Sequence, residues 1–525
     1  MPHASRSSSA RIRAETLGLR GLALALVLGL TSGLGACGGG ATPSGPRLVI
    51  LYATCSLNRD MLGAYDPELD PRVTPNLDAF AKESVVFRRH TAEAGQSGTD
   101  FAALFSGTQA DGHGIYMHPA PLADDVQLVF ETFGASGYTP YYWSGHAMSS
   151  PELNYAQGVA PEHAYRIRGA KKHAQLGEED PAFVELLDRL VAHPEERALV
   201  VTSFTMTHSP YQKQTDIESV MASLHLFPED GRGVTRAELD HWIPIYDREM
   251  LELEWDFPAT VERLGLTPHD VERLAAVLEV LYRTTIRNLD HNFGGMRAAI
   301  AARGLADEAL IAFTSDHGEL LYRENSTFQW THGLEMAPEM LDIALMIGAP
   351  GLKPGRYEAV TRSIDVYPTL AGLCGVPIPA NERPEGVDLA PALRGEAPPP
   401  ELLAFSHSTT LSAEHLEAFE GLGLVKRIFP RTDPELIWVR VRKGDLVVKE
   451  ENPDGQGFVF RAFDQARDRA ERHDLFDPAD PEHAALREAL VRYKARLVEG
   501  FERRDENSLS SEERLEHLRA LGYAK

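Results

Sequence analysis

Short apolar runs alternate along this chain with longer stretches in which apolar positions recur every three or four residues. Leu48 to Tyr52, Gly137 to Trp143, Ala198 to Phe204, Leu310 to Phe313 and Ile343 to Ile347 read as buried strands, because a strand covered on both faces has no polar face to show. Leu274, Leu278, Leu281, Leu289, Phe293, Met296 and Ile300 fall at helical spacing and predict a long amphipathic helix. Thr74, Pro75 and Asn76 open another helix with Thr at the cap and Pro in the first turn, its inner face carrying Leu77, Phe80, Ala81 and Ser84. Strands separated by helices predict an α/β fold with a mostly parallel central sheet flanked by helices.

Two regions depart from this rhythm. Residues 165–260 mix Lys, Glu, His and Pro around one strand and read as loop-rich insertions, a lid or substrate wall. Pro398, Pro399 and Pro400 mark a boundary, beyond which Trp438 to Arg442 and Leu446 to Lys449 flank Lys443, Gly444 and Asp445 as a hairpin. A helix from about His483 to Glu502 follows. The expected organisation is a main domain over 47–400 and a small C-terminal α+β subdomain over 401–525, consistent with 525 residues being more than one core usually holds.

The first residues belong to export rather than to the fold. Arg6, Arg11, Arg13 and Arg20 precede an apolar stretch from Leu22 to Leu30, too short for a membrane span. Leu34, Gly35, Ala36 and Cys37 resemble a bacterial lipobox, with a plain signal peptide and a chance cysteine as the alternative. The expectation is a lipoprotein signal peptide over 1–36, lipid on Cys37 and a flexible tether over 37–46. The expected location is a bacterial cell envelope, at the periplasmic face or outer membrane, with membrane contact through the lipid anchor. The other two cysteines, Cys55 and Cys374, are left open to a disulfide, although their contexts suggest separate roles; Cys374 reads as small core filling. A net charge of −25 argues against nucleic acid as a partner.

Chemistry enters with Thr314, Ser315, Asp316, His317, Gly318 and Glu319 directly after an apolar run. A carboxylate beside an imidazole at the end of a buried strand offers two metal-ligand types where open α/β sheets bind ligands. The alternative is that Asp316 caps a helix and His317 lies on the surface. A second imidazole, His332, follows in the run Trp330, Thr331, His332, Gly333.

In order along the chain stand Asp60 to Tyr65 (DMLGAY), the TPNLD helix, a small-residue loop ending in Ser106 and Gly107, His208 to Tyr211 (HSPY), TSDHGE, HG, Asp365 to Leu370 (DVYPTL), Asp474 to Pro478 (DLFDP) and Leu518 to Tyr523 (LRALGY). This series resembles the sulfatase branch of the alkaline phosphatase superfamily over nearly all of 47–525. The resemblance implies that superfamily's fold, hydrolysis of a sulfate or phosphate ester on a small molecule or glycan, and a divalent metal, commonly calcium, held by first-strand acidic residues and the DH pair. Asp316 and His317 match the pair. Cys55 and Ser56 stand where the acidic residues belong.

A thiolate is a poor ligand for calcium or magnesium but a good one for zinc. Cys55, Asp316, His317 and His332 are therefore a zinc set if they converge; otherwise Cys55 is a buried small residue at a lost ligand position. The family's modified nucleophile motif maps onto Ser97, Gly98, Thr99, Asp100 and Phe101 without its Pro and Arg, so no formylglycine is expected and Ser97 is the candidate unmodified nucleophile. Asp100 either replaces the missing carboxylate or caps a helix starting near Phe101. By the resemblance His208 and His332 contact the anion or leaving group, and His146 stands in for an absent lysine. Two functions follow: an exported, metal-dependent hydrolase, or a catalytically degraded relative that binds an anionic or glycan ligand without turnover.

Overall fold

The computed structural model describes residues 45–66, 73–116, 119–167, 176–213, 215–226, 232–324, 326, 328–333, 335–380, 382, 384–408, 437–452 and 457–504. The expected signal peptide, Cys37, most of the tether and the LRALGY tail lie outside the described residues.

Eight strands form the central sheet: β1 (Leu48–Thr54), β2 (Val85–Thr91), β3 (Thr139–Ser144), β4 (Ala164–Arg166), β5 (Ala198–Ser203), β6 (Ala309–Ser315), β7 (Leu345–Gly348) and β8 (Gly355–Arg362). Their order is β4-β3-β5-β1-β6-β7-β2-β8, and β7 runs antiparallel to both of its neighbours while the remaining pairings are parallel. β1 lies in the middle and is buried along its whole length. Its side chains alternate between the two faces, as the period of two demands. Leu48, Ile50 and Tyr52 join a core with Leu274, Leu278, Leu281 and Phe293 of the helix Pro268–Ala302, the long helix predicted from periodicity. Val49, Leu51, Ala53 and Cys55 face the opposite layer, with Phe101 and Phe105 of the helix Ser97–Ser106 and Leu370 of the helix Val366–Cys374. Each buried large apolar side chain contributes roughly 1.5–3 kcal/mol, so the two layers lock β1 from both sides.

Several expectations need correction. The stretch expected to be loop-rich holds the helices Pro181–Ala192, Ile217–Leu226, Arg236–Trp255 and Phe257–Leu264. Helix starts were present in that sequence: Asp180 accepts from Ala182 N and Phe183 N ahead of Pro181, and Thr235 forms a capping box with Glu238. Strands β2 and β8 escaped notice because Arg88 and Arg89 interrupt one and the first turns of the other are exposed. Thr74 precedes its helix but caps no backbone amide; its Oγ1 donates to Asp78 Oδ1 at 3.1 Å and accepts from Gly63 N. Cys55 and Cys374 are both buried free thiols, which removes the disulfide.

The C-terminal strands β9 (Ala404–His407), β10 (Val439–Lys443), β11 (Leu446–Glu451) and β12 (Val459–Asp464) make a small antiparallel sheet in the order β12-β11-β10-β9. β10 and β11 are the predicted hairpin, turning at Gly444 with φ +59°. Val439, Val441, Val448 and Ala462 bury one face of this sheet against Leu486, Leu490, Tyr493 and Leu497 of the helix Pro481–Arg504.

Candidate active site

The C-terminal ends of β1, β3, β5 and β6 open to one side of the sheet, and each delivers a candidate residue there: Cys55 after β1, His146 after β3, His208 after β5, Asp316 and His317 after β6. Register explains the central pair. Thr54 pairs with Ser315, so the next residues, Cys55 and Asp316, leave adjacent parallel strands side by side. Ser56 then takes a left-handed φ of +56° and turns its amide onto Asp316 Oδ1 at 3.0 Å. The long helix braces this turn, since Tyr282 donates its hydroxyl to Ser56 O at 2.8 Å and accepts from Asn58 N at 2.7 Å. Gly318 is required after the pair: a Cβ there would lie 2.0 Å from Glu339 O.

Ser97 opens the helix Ser97–Ser106 from the other side, its Oγ 3.2 Å from Cys55 Sγ and 3.0 Å from His317 Nε2. The helix starts at Ser97, four residues before the expected Phe101. Asp100 fastens that start by accepting from Ala94 N at 2.8 Å and Gln96 N at 3.0 Å. Both of its oxygens are thereby used on backbone amides ahead of the helix; Asp100 lies within the helix, whose cap position is Gln96, so neither expected role, replacement carboxylate nor cap of a helix at Phe101, describes it.

Proton positions follow from partners. His317 Nδ1 lies 2.8 Å from Gly318 O, so Nδ1 carries the hydrogen and Nε2 the lone pair. Burial pulls this imidazole below its ordinary pKa, which keeps it neutral. Nε2 stands 3.5 Å from Asp316 Oδ2, a fully buried oxygen without a hydrogen-bond partner among the described residues, whereas Oδ1 takes the amides of Ser56 and His317. Two lone pairs facing each other across that gap want a cation. Cys55, Asp316 and His317 offer ligand atoms that all lie within 4.8 Å of one another. A thiol, one carboxylate and one imidazole fit a borderline ion such as zinc and not calcium, which takes six to eight oxygens. Without a metal, burial and then the Asp316 carboxylate push the Cys55 thiol well above its usual range.

His332 is absent from that trio. The pairing of Leu320 with Thr331 folds the intervening loop back and sets its ring 4.4 Å from His317 and 5.0 Å from His208. Burial lowers both His208 and His332 to about 4. A second trio, Cys55 with His146 and His208, also has ligand atoms within 4.8 Å. His146 Nδ1, however, accepts from Met148 N at 3.1 Å, so its Nε2 carries the proton and serves an anion better than a metal.

Glu319 completes the pocket and was not assigned a role from sequence, although it ends the TSDHGE run. It is fully buried, accepting from Tyr211 at 2.8 Å and lying 3.2 Å from His332 Nδ1, and burial raises it to about 7. Tyr211 of the HSPY run and Tyr282 of the long helix were likewise missed; aromatic residues at core positions give no sign of a polar task.

A sulfatase family model matches residues 48–376. The chain is 28% identical over 295 residues to a choline-sulfatase of Rhizobium meliloti, covering 55% of this chain and 53% of that protein. It thus spans about half the length of that curated relative. Among solved structures, a Bacteroides thetaiotaomicron 4S-sulf protein described with glycosaminoglycan metabolism superposes with a TM-score of 0.60 at 16% identity, covering 87% of this chain and 97% of the other. A phosphonate monoester hydrolase of Agrobacterium radiobacter gives 0.56 at 19%, covering 87% and 96%. The fold is the one these structures share, and with the family model matching well over half of its length, this chain belongs to the sulfatase family.

Proposed function

We propose that the protein hydrolyses sulfate or phosphate esters of a small molecule or glycan, with Ser97 as an unmodified nucleophile and a zinc-class metal held by Cys55, Asp316 and His317. The observation that carries this reading is the meeting of Cys55 Sγ and His317 Nε2 at the Ser97 hydroxyl, 3.2 and 3.0 Å away. A divalent metal held there supplies positive charge that favours the alkoxide form of a nearby hydroxyl and offsets charge on an ester oxygen. The chain's own groups do the rest. In the metal-free protein Ser97 donates to His317 Nε2, the lone pair that a bound metal would take; the helix start holds Ser97 in place, and His146, His208 and His332 surround the position of the ester. From the arginine-led N-terminus and the lipobox we further infer export and attachment to the envelope through Cys37.

The purified protein should contain zinc by elemental analysis and should cleave an aryl sulfate or aryl phosphate, with Asp316→Ala removing both. No turnover with zinc, calcium, magnesium or manganese would sink this reading. A second reading, ligand binding without turnover, draws on Cys55 lying within the apolar layer beneath the site. It requires that an ester raise the melting temperature while remaining intact.

A further inference from the structure

We infer that the junction between the small C-terminal sheet and the main sheet is built to hold a divalent oxyanion, sulfate or hydrogen phosphate, at a site separate from the ester pocket. Its hub is Asp342, a fully buried carboxylate just beyond the short helix Pro338–Leu341. Four guanidiniums converge on it. Arg440 Nη2 and Arg442 Nη1 reach Oδ1 at 3.1 and 2.8 Å, while Arg469 Nη1 and Arg59 Nη2 reach Oδ2 at 2.8 and 3.4 Å. Asp60 adds a second carboxylate, 2.7 Å from Arg469 and 3.6 Å from Arg59.

The neighbouring acids are shared with other cations. Asp445 is gripped by Arg89 at 2.7 Å and stands 3.8 Å from Arg442, Glu339 pairs with Arg323 at 3.7 Å, and Glu471 pairs with Lys449. Counting Arg89 with its second partner Glu358 at 3.3 Å, five guanidiniums face four carboxylates among the described residues, which leaves one positive charge in excess where the side chains of Arg440 and Arg442 are 0% and 3% exposed. Buried charge without its complement is strongly unfavourable.

The hydrogen-bond pattern says the same independently. Arg440 Nε and Nη1 and Arg469 Nη2 are buried and have no acceptor among the described residues. A guanidinium edge left open in this way is the fork that grips a tetrahedral oxyanion through two parallel N–H bonds. One tetrahedral oxyanion supplies acceptors to the open donors and opposes the excess positive charge. Because the donors are closed off from solvent, the ion enters as the chain folds and stays. Arg59 belongs to the turn Arg59–Met61, four residues after Cys55, so its ion pairs with Asp342 and Asp60 tie the cluster to the loop leaving β1.

The test uses the full chain, purified, exchanged into chloride buffer and then unfolded in guanidinium chloride, with released anions separated by ion chromatography. About one sulfate or phosphate per chain is expected, the chromatogram distinguishing the two. Asp316→Ala, which disables the ester pocket, should release the same amount, whereas Arg440→Met should release almost none. Wild-type protein that releases neither ion, or Arg440→Met that releases as much as wild type, overturns the site. Should Arg440→Met fail to fold, wild-type protein refolded in chloride with and without sulfate decides: a melting temperature raised only after refolding with sulfate supports the site, and identical melting temperatures refute it.

Discussion

Ser97 Oγ lies 3.0 Å from His317 Nε2, the ring nitrogen left with the lone pair because Nδ1 carries the hydrogen and donates it in a bond to Gly318 O. The hydroxyl is thus aimed at a base before any ligand arrives. Ser97→Ala should lower kcat on an aryl ester by at least ~10³-fold while leaving the melting temperature close to that of wild type. A variant keeping a tenth of wild-type turnover would remove Ser97 from the chemistry.

The thiol of Cys55 should decide which metal is kept. Replacing it with a carboxylate turns a borderline donor set into a harder one, so Cys55→Asp is expected to lose zinc and to gain calcium or magnesium dependence. Metal content by elemental analysis, measured alongside turnover in each metal, checks the exchange. Zinc content equal to that of wild type would place Cys55 outside the coordination.

Glu254 is buried beside Ser209, accepting from its Oγ at 2.5 Å and from Tyr246 at 2.6 Å, and burial raises it from 4.5 to about 8. The folded state therefore binds a proton that the unfolded chain has already lost over that range. By linkage, stability falls as pH rises between about 4.5 and 8, at up to about 1.4 kcal/mol per pH unit from this group. Glu254→Gln keeps one carbonyl oxygen, which can accept from both Ser209 and Tyr246 as Glu254 Oε1 does, but cannot ionise. Its melting temperature should decline less steeply than that of wild type across this window, and parallel curves would show that Glu254 does not titrate there.

Phe293 ties the long helix to the sheet, its ring 5.3 Å from Tyr52, 5.3 Å from Phe313 and 5.2 Å from Phe80. Phe293→Ala should cost about 3–5 kcal/mol of unfolding free energy in a denaturant titration. Tyr282, which braces the Ser56 turn, lies on the same helix, so turnover should fall as well.

The elements that apolar periodicity marks out are present: β1, β5, β6 and the long helix each occupy the stretch where uninterrupted or helical apolar spacing predicts them. β6 also delivers Asp316 and His317 to the sheet mouth, as the run's sudden turn to polar residues suggests. What sequence pattern does not carry is convergence between distant segments. Nothing near Cys55 shows that Ser97 lies 3.2 Å away, because that contact depends on the register of β1 and the start of a helix in the opposite layer. Glu319 and Glu254 were invisible for a related reason: their raised pKa values come from burial, and a glutamate in an unplaced loop looks solvated.

The neutral imidazoles around the ester position have a consequence for encounter. With His208 and His332 lowered to about 4, they add no charge at neutral pH, while the chain as a whole carries −25. The long-range field thus repels an anionic ester, and the short-range attraction must come from oriented N–H groups and any bound cation. Added salt would then screen a repulsion, so kcat/KM for an anionic ester should rise with ionic strength, opposite in sign to an enzyme that steers its substrate electrostatically.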